Sequence, residues 1–322
     1  MILVLSRAKH EPSTDEVIDW LAYFEQDFFR INGEDFEREL LDFEPIGKVY
    51  SKKSFILNKV NEAKIIWYRR WYDYENLHYL KDMGVQAATR YYSFIQNEIK
   101  VLNRAVFQEF KDKKWLNYPL FSENKIQILR KAQETGLNIP ATIITNNKKT
   151  VATFLKEHDT IITKPLSEAV FIDYKNVHFL SYTTVINGDN FNKIPENFFP
   201  SLFQENIEKK YEIRAFVLGK KIFSMAIFSQ NDPKTLQDFR RYNYQNPNRF
   251  VPFKLPIQIE SKIFKLMDNL DLQTGSIDLI KDTKGQFYFL EINPNGQYGM
   301  VSKPCNYFLE REIAEYLILN KD

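Results

Sequence analysis

Three residues near the C-terminal end of the chain carry the first chemical hint. In FYFLEINPNGQYGM (287–300) an apolar run stops at Glu291 and Asn293 and breaks into Pro294-Asn295-Gly296. Phe287 to Leu290 reads as a buried strand, and residues i and i+2 of a strand point to one side. Glu291 and Asn293 therefore project together from a strand end. Asp278, in GSIDLI, precedes a Lys284-Gly285 turn. A hairpin centred there sets positions 278 and 291 opposite one another, about 5 Å apart. Two carboxylates and an amide oxygen on one hairpin are too few for a closed calcium cage. They suit magnesium that also holds phosphates. The same residues also read as a capped strand followed by a tight turn.

Phosphates need cations and backbone donors. The chain has no GxxxxGK[ST] loop and no GxGxxG turn, which sets those nucleotide folds aside. Lys164 closes the apolar run IITKP, where a charge costs free energy unless it meets a partner. Lys125 opens a helix over 123–135, where a basic residue opposes the helix dipole. A lone lysine in either place also reads as surface. Arg214 stands in the middle of YEIRAFVLG, and facing inward it needs a carboxylate or a phosphate.

These residues must be held by particular elements. ILVLS (2–6) reads as a first buried strand, and Ser13-Thr14-Asp15-Glu16 as a capping box opening the amphipathic helix VIDWLAYFE. SFILN (54–58) and KIIWYRR (64–70) read as short strands. Residues 85–113 form a long helical pattern, and NYP (117–119) breaks the chain at a domain boundary. Next come a helix over 123–135, the strand TIIT (142–145), a helix over 148–157 and the strand TIITKP (160–165). AVFIDY and VHFLSYTTVI flank a Lys175-Asn176 turn as a hairpin. From Pro200 the texture is antiparallel, with SLFQENI, YEIRAFVLG and KKIFSMAIFS and a turn at Leu218-Gly219-Lys220. A helix from about 257 to 269 leads into the Asp278–Glu291 hairpin, and YFLEREIAEYLIL closes the chain as a helix.

Composition bounds the class. The 322 residues allow two or three subdomains, and 44% hydrophobic with 27% charged is ordinary for a globular protein. Aromatics at 15%, with 27 Phe and 18 Tyr, argue against disorder. A net charge of +2 gives no reason to expect nucleic acid or a membrane surface as partner. Cys305, the single cysteine, excludes an internal disulfide and a thiolate metal cluster, and reads as a small semi-buried residue. The apolar run Ile2 to Leu5 is too short for a signal peptide, and no stretch approaches the ~18 apolar residues of a spanning helix. The expectation is a soluble, cytoplasmic protein.

SENKIQILRKAQETGLNIPATIIT, IITKP, LFQENIEKKYEIRAFVLG, GSIDLI and LEINPNGQ, in that order, resemble the ATP-grasp superfamily over about 119–322, with the texture of the RimK-like ligases. WYRRW (67–71) and FSQNDPKTLQDFRRY (228–242) resemble, more narrowly, the ATP-grasp maturases of ribosomal peptides, the graspetide synthetases of the microviridin and grasp-with-spasm types. The resemblance implies an α/β (α+β) ATP-grasp fold behind an N-terminal pre-ATP-grasp-like α/β domain. The divisions expected are 1–118, 119–199 and 200–322, the last with the magnesium site.

It also implies roles. Lys125 and Lys164 would hold the α- and β-phosphates of ATP. Gln204, Glu205 and Ile207 would form the hinge strand that reads adenine, with Glu212 near the nucleotide at the ribose. Arg214 and Arg240 would steady the γ-phosphate and an acyl phosphate, and Asp278, Glu291 and Asn293 would bind Mg2+. Asp238 is a candidate for proton removal, since none of the four histidines stands in a recognised motif. One departure is that no glycine follows Lys164 until Gly188, so a loop around Ser167 would cover the phosphates. Phe171, Tyr174, Phe179 and Tyr182 would suit a peptide partner or the core of a small β-layer.

The activity implied is ATP-dependent macrocyclisation. Asp or Glu carboxylates of a precursor peptide (leader plus core) would be activated as acyl phosphates and joined to Thr or Ser hydroxyls or Lys amines. Two alternatives remain at this point: a RimK-like ligase that adds an amino acid, and a nucleotide- or peptide-binding scaffold without catalysis. Trp67, Arg69, Arg70 and Trp71 read as substrate contacts or as buried aromatic and ion-pair packing. The long 85–113 helix would build a homodimer.

Overall fold

The computed structural model describes residues 1–9, 11–35, 55–71, 85–119, 124–166, 171–174, 177–180, 183–230, 232, 235, 243 and 245–321. They fall into two compact units. One comprises Met1–Ser122, Leu272–Thr274 and Phe308–Asp322; the other comprises Glu123–Asp271 and Gly275–Tyr307. Among the described residues no helix is long and apolar enough to cross a membrane.

The first unit is built on a parallel sheet of β1 (Ile2–Ser6), β2 (Phe28–Asn32), β3 (Ile65–Tyr68) and β4 (Lys114–Leu116), in the order β2-β1-β3-β4. Every residue of β1 is buried, as expected for a parallel strand covered on both faces. Parallel neighbours need crossovers, and helices supply them. α1 (Pro12–Tyr23) joins β1 to β2.

Ser13-Thr14-Asp15-Glu16 does not form the expected capping box. The helix begins at Pro12, whose fixed φ suits the first helical position, and Glu11 is the N-cap residue without a capping bond. Ser13 instead donates to the Glu11 carboxylate, and the Thr14 hydroxyl meets that of Ser6 at 3.1 Å.

SFILN is not a strand either: α2 (Phe55–Glu62) is a helix. The crossover into β3 requires one there, and Val60 and Ala63, three residues apart, both enter the core. α3 (Val85–Glu109) is the long helix the sequence shows. Its end packs Val106 and Phe107, with Phe110 just beyond, against Leu3, Leu5 and Ile31. Asn117, at φ 58°, closes the unit. Its amide donates to the Thr274 carbonyl at 2.7 Å and accepts from the backbone N–H groups of Gln273 (2.8 Å) and Thr274 (3.0 Å).

The second unit starts with α4 (Lys125–Glu134). Asn124 caps it in a full capping box with Gln127, which the sequence reading missed. β5 (Thr142–Asn147), α5 (Lys148–His158), β6 (Ile161–Lys164), β9 (Thr184–Ile186) and β10 (Asn197–Glu205) follow. These four strands pair in the order β5-β10-β6-β9, antiparallel throughout. β7 (Phe171–Tyr174) and β8 (Val177–Leu180) form the expected hairpin, with Tyr174 opposite Val177. The side chains of Phe171, Tyr174 and Phe179, and all of Ser167 and Tyr182, lie outside what is described.

The larger sheet runs β13-β12-β11-β14-β15: β11 (Lys209–Leu218), β12 (Lys221–Phe228), β13 (Arg249–Phe253), β14 (Thr274–Asp282) and β15 (Phe287–Asn293). α6 (Ile257–Asn269) buries Ile263, Leu266 and Met267. α7 (Gly299–Cys305) was not anticipated and carries Pro304 within it. Cys305 is buried, and burial pushes its thiol above the usual range. The closing helix α8 (Leu309–Leu319) belongs to the first unit and packs on α1 there.

Candidate active site on the second unit

The β14–β15 hairpin has the register the sequence predicts. Asp278 stands opposite Glu291, and Ser276 opposite Asn293. The alternation is less simple. Phe287 and Phe289 are buried, yet so is Ile292. A register shift between Asp278 and Leu279 pairs Leu279 with Phe289 and leaves Leu290 as an extra residue. This bulge turns the side chains after it by one place. Without it Glu291 would share the core face of Phe289; with it, Glu291 and Asn293 face away from Ile292.

The following turn is tightly built. Asn295 N–H donates to Asn293 Oδ1 at 3.0 Å, and Gly296 N–H to the Asn293 carbonyl at 3.0 Å. A Cβ on Gly296 would lie 2.3 Å from both Cβ and Oγ of Ser276, so only glycine fits against β14.

Cationic groups reach this hairpin from two other elements. Arg214 on β11, the strand beside β14, donates through one terminal nitrogen to both oxygens of Asp278 at 3.1 Å. The Arg214 side chain is 15% exposed, and its Nε is buried with no hydrogen-bond partner. Lys125, at the start of α4, lies 3.4 Å from Glu291 Oε2 and 3.4 Å from the Pro165 carbonyl. It thereby spans from the hairpin to the residue next to Lys164, which ends β6. The two carboxylates keep 23% and 39% of their surface, so neither pair is sealed off.

The other expected residues divide. Gln204, fully buried on β10, donates from Nε2 to Thr142 Oγ1 at 2.8 Å, while its Oε1 is buried without a partner. Glu205 accepts from Ala141 N–H at 3.2 Å. Ile207 is half-buried between β10 and β11. Glu212 accepts from Lys209 at 2.7 Å and from Ser229 at 2.9 Å. Lys209 and Ser229 were not singled out from the sequence; Ser229 entered it only within KKIFSMAIFS and FSQNDPKTLQDFRRY. Burial, then the charges of Asp282 and Glu205, raise the Tyr288 phenol above its usual range. Asp238 and Arg240 lie outside the described residues.

Among the described residues no group of three or more His, Cys, Asp and Glu side chains stands close enough to hold a metal alone. The hairpin offers two opposed carboxylates and one amide oxygen, all hard donors. That set fits magnesium completed by phosphate oxygens and water, and not a closed cage.

No protein-family model matches the chain, and no curated protein does. Solved structures do. The macrocyclase MdnC of Microcystis aeruginosa MRC, bound with precursor peptide MdnA, superposes with a TM-score of 0.78 at 26% identity, covering 99% of each chain. A RiPP-associated ATP-grasp ligase of Chryseobacterium gregarium, in complex with ADP and a leader and core peptide, gives 0.77 at 24% identity, over 98% of this chain and 94% of that one. An ATP-grasp RimK domain protein of Sphaerobacter thermophilus DSM 20745 gives 0.53 at 10% identity.

Proposed function

We infer that this ATP-grasp protein, a ligase of the peptide-maturing kind, closes rings in a ribosomal precursor peptide by joining its side chains with ATP. The observation that carries the reading is one face built from Arg214, Asp278, Glu291 and Lys125, in a chain matched nearly end to end by peptide-bound ATP-grasp structures. The γ-phosphoryl group of ATP passes to an Asp or Glu carboxylate of the peptide, giving ADP and an acyl phosphate. A Thr or Ser hydroxyl, or a Lys amine, of the same peptide attacks the acyl carbon. Its proton leaves to a base, phosphate departs, and an ester or amide remains. Such transfer rests on positioning and charge, with no covalent bond to the protein required.

The assignments are those the resemblance implies, and the contacts of Lys125 and Arg214 with the hairpin support them. Lys125 and Lys164 bind the α- and β-phosphates. Gln204, Glu205 and Ile207 take adenine, where the unpartnered Gln204 Oε1 is a ready acceptor for an amine. Glu212 lies by the ribose, and Arg214 and Arg240 hold the transferring phosphoryl group. Asp238 takes the proton. Asp278, Glu291 and Asn293 would hold magnesium, which offsets phosphate charge when bound.

The cytoplasm, with its ATP, is the place of action. A homodimer belongs to the same proposal. On α3, Ala88, Tyr92, Ile95, Ile99 and Leu102 recur at steps of four and three, the spacing of a helix-pairing seam, and Tyr92 and Leu102 are each 38% exposed.

The test is ADP release with ATP and magnesium, with and without an acidic Thr- and Lys-containing precursor peptide. The reading expects release stimulated by peptide and lost in Lys125→Ala. A peptide that gains mass would instead indicate amino-acid addition, and nucleotide binding without any turnover would indicate a scaffold.

A further inference from the structure

We propose that Ser229 is a positioning residue for Glu212, fixing that carboxylate so that one oxygen is held and the other is presented to the nucleotide. The inference rests on the nucleotide reading above. Glu212 is nearly buried, with 12% of its side chain exposed. Both of its bonds, from Lys209 Nζ at 2.7 Å and Ser229 Oγ at 2.9 Å, fall on Oε1. Among the described residues none falls on Oε2. Glu212 and Arg214 stand two apart on β11, so they share a strand face. The open oxygen is therefore offered on the face where Arg214 meets Asp278.

The direction of the Ser229 hydroxyl is set by its neighbours. Ser229 is 1% exposed, at the end of β12. Gln230 Nε2 donates to its Oγ at 2.9 Å, and the Ser229 N–H meets Gln230 Oε1 at 3.3 Å. A hydroxyl that accepts from an amide has its one proton left to give, and Glu212 is where it goes. Thr235, fully buried, donates to the Ser229 carbonyl at 2.8 Å while its N–H bonds the Asp232 carbonyl at 3.0 Å. The backbone of Ser229 is thus anchored independently of its hydroxyl. Removing the hydroxyl alone frees the carboxylate to rotate about its last bond, with Lys209 as a single tether. A preset acceptor loses no rotational freedom when a ligand hydroxyl arrives, and a freed one does.

Calorimetric titration of the full chain with magnesium–ADP tests this, with thermal unfolding measured alongside. S229A is expected to bind about tenfold more weakly, with an unchanged unfolding midpoint, because a hydrogen bond to a charged group is lost. S229T, which keeps the hydroxyl, should stay within about twofold of the unaltered chain. In an E212A background S229A should cost nothing further, since coupled residues do not add. Should S229A fold poorly, Q230A, which removes only the group orienting the hydroxyl, is expected to weaken binding about threefold. Affinity unchanged from the unaltered chain in S229A, or in Q230A where S229A folds poorly, or a full S229A loss in the E212A background, overturns the inference and leaves the proposed function standing. No nucleotide binding by the unaltered chain overturns both.

Discussion

Each unit of this chain holds a cluster of carboxylates and cationic side chains, and the two clusters differ in what surrounds the charge. In the first unit Glu11, its side chain 2% exposed, takes Arg69 at 3.2 Å and Arg70 at 3.1 Å, and Arg69 is itself 4% exposed. Ser13 adds a further bond to the same carboxylate. In the second, Asp278 and Glu291 each meet a cation and remain 23% and 39% exposed. A carboxylate enclosed by its counter-charges works as a strut, because removing it strands buried charge. A carboxylate that keeps part of its surface in solvent can exchange its cation for a ligand. WYRRW accordingly belongs to packing: Trp67 is 2% exposed, and Arg69 lies within the strut.

The contrast breaks if the two clusters respond alike to substitution. The largest expected effect is on the strut. Glu11→Ala should lower unfolding free energy by about 3–5 kcal/mol, read by denaturant titration, while ADP release per folded molecule is kept. Asp278→Asn should do the reverse, with turnover falling by about 10²–10³ and the unfolding midpoint barely moved. Equal loss of stability in both would end the distinction.

Gly296→Ala sharpens it within the open cluster. The added Cβ meets Ser276 at 2.3 Å, so a cost of about 1–3 kcal/mol is expected, relieved when Ser276→Gly is combined with it.

The smallest effect is a control that should not separate the units. Tyr118 and Tyr316 in the first, and Tyr288 and Tyr307 in the second, have phenols that burial raises above the ordinary phenol range. A raised acid stays neutral in the folded chain while the unfolded chain ionises. Stability from these groups is therefore complete below about pH 10 and declines as pH rises through the folded values. Thermal scans from pH 8 upward should show that decline, lessened in Tyr316→Phe.

Much of the candidate site was legible because it is local. Asp278 and Glu291 lie on one hairpin, the turn at Gly285 (φ 90°) marks its centre, and the register follows by counting. The bulge at Leu290 was not legible, since nothing in FYFLEIN distinguishes an extra residue from a paired one. Without it the same count would have buried Glu291. Lys125 read as a residue opposing its helix dipole; Glu291 resolves that conflict, and no pattern within α4 names the partner.

The errors have a shared cause. SFILN looks like a strand by composition, but the parallel pairing of β1 and β3 demands a helix before β3. The apparent capping box lost to Pro12, which set the helix start earlier, and to Glu11, whose carboxylate drew Ser13. Ser229 and Glu212 were invisible as a pair because strand pairing across β11 and β12, not sequence distance, brings them together.

The central claim is that the open cluster serves phosphoryl transfer to a peptide carboxylate that the same peptide then captures. Intact mass of a precursor peptide, incubated with the full chain, ATP and magnesium, tests it most directly. The account predicts loss of one water mass per ring, in step with ADP formed, and no loss with Glu291→Ala. A peptide of unchanged or increased mass, with ADP formed in its presence, would contradict it.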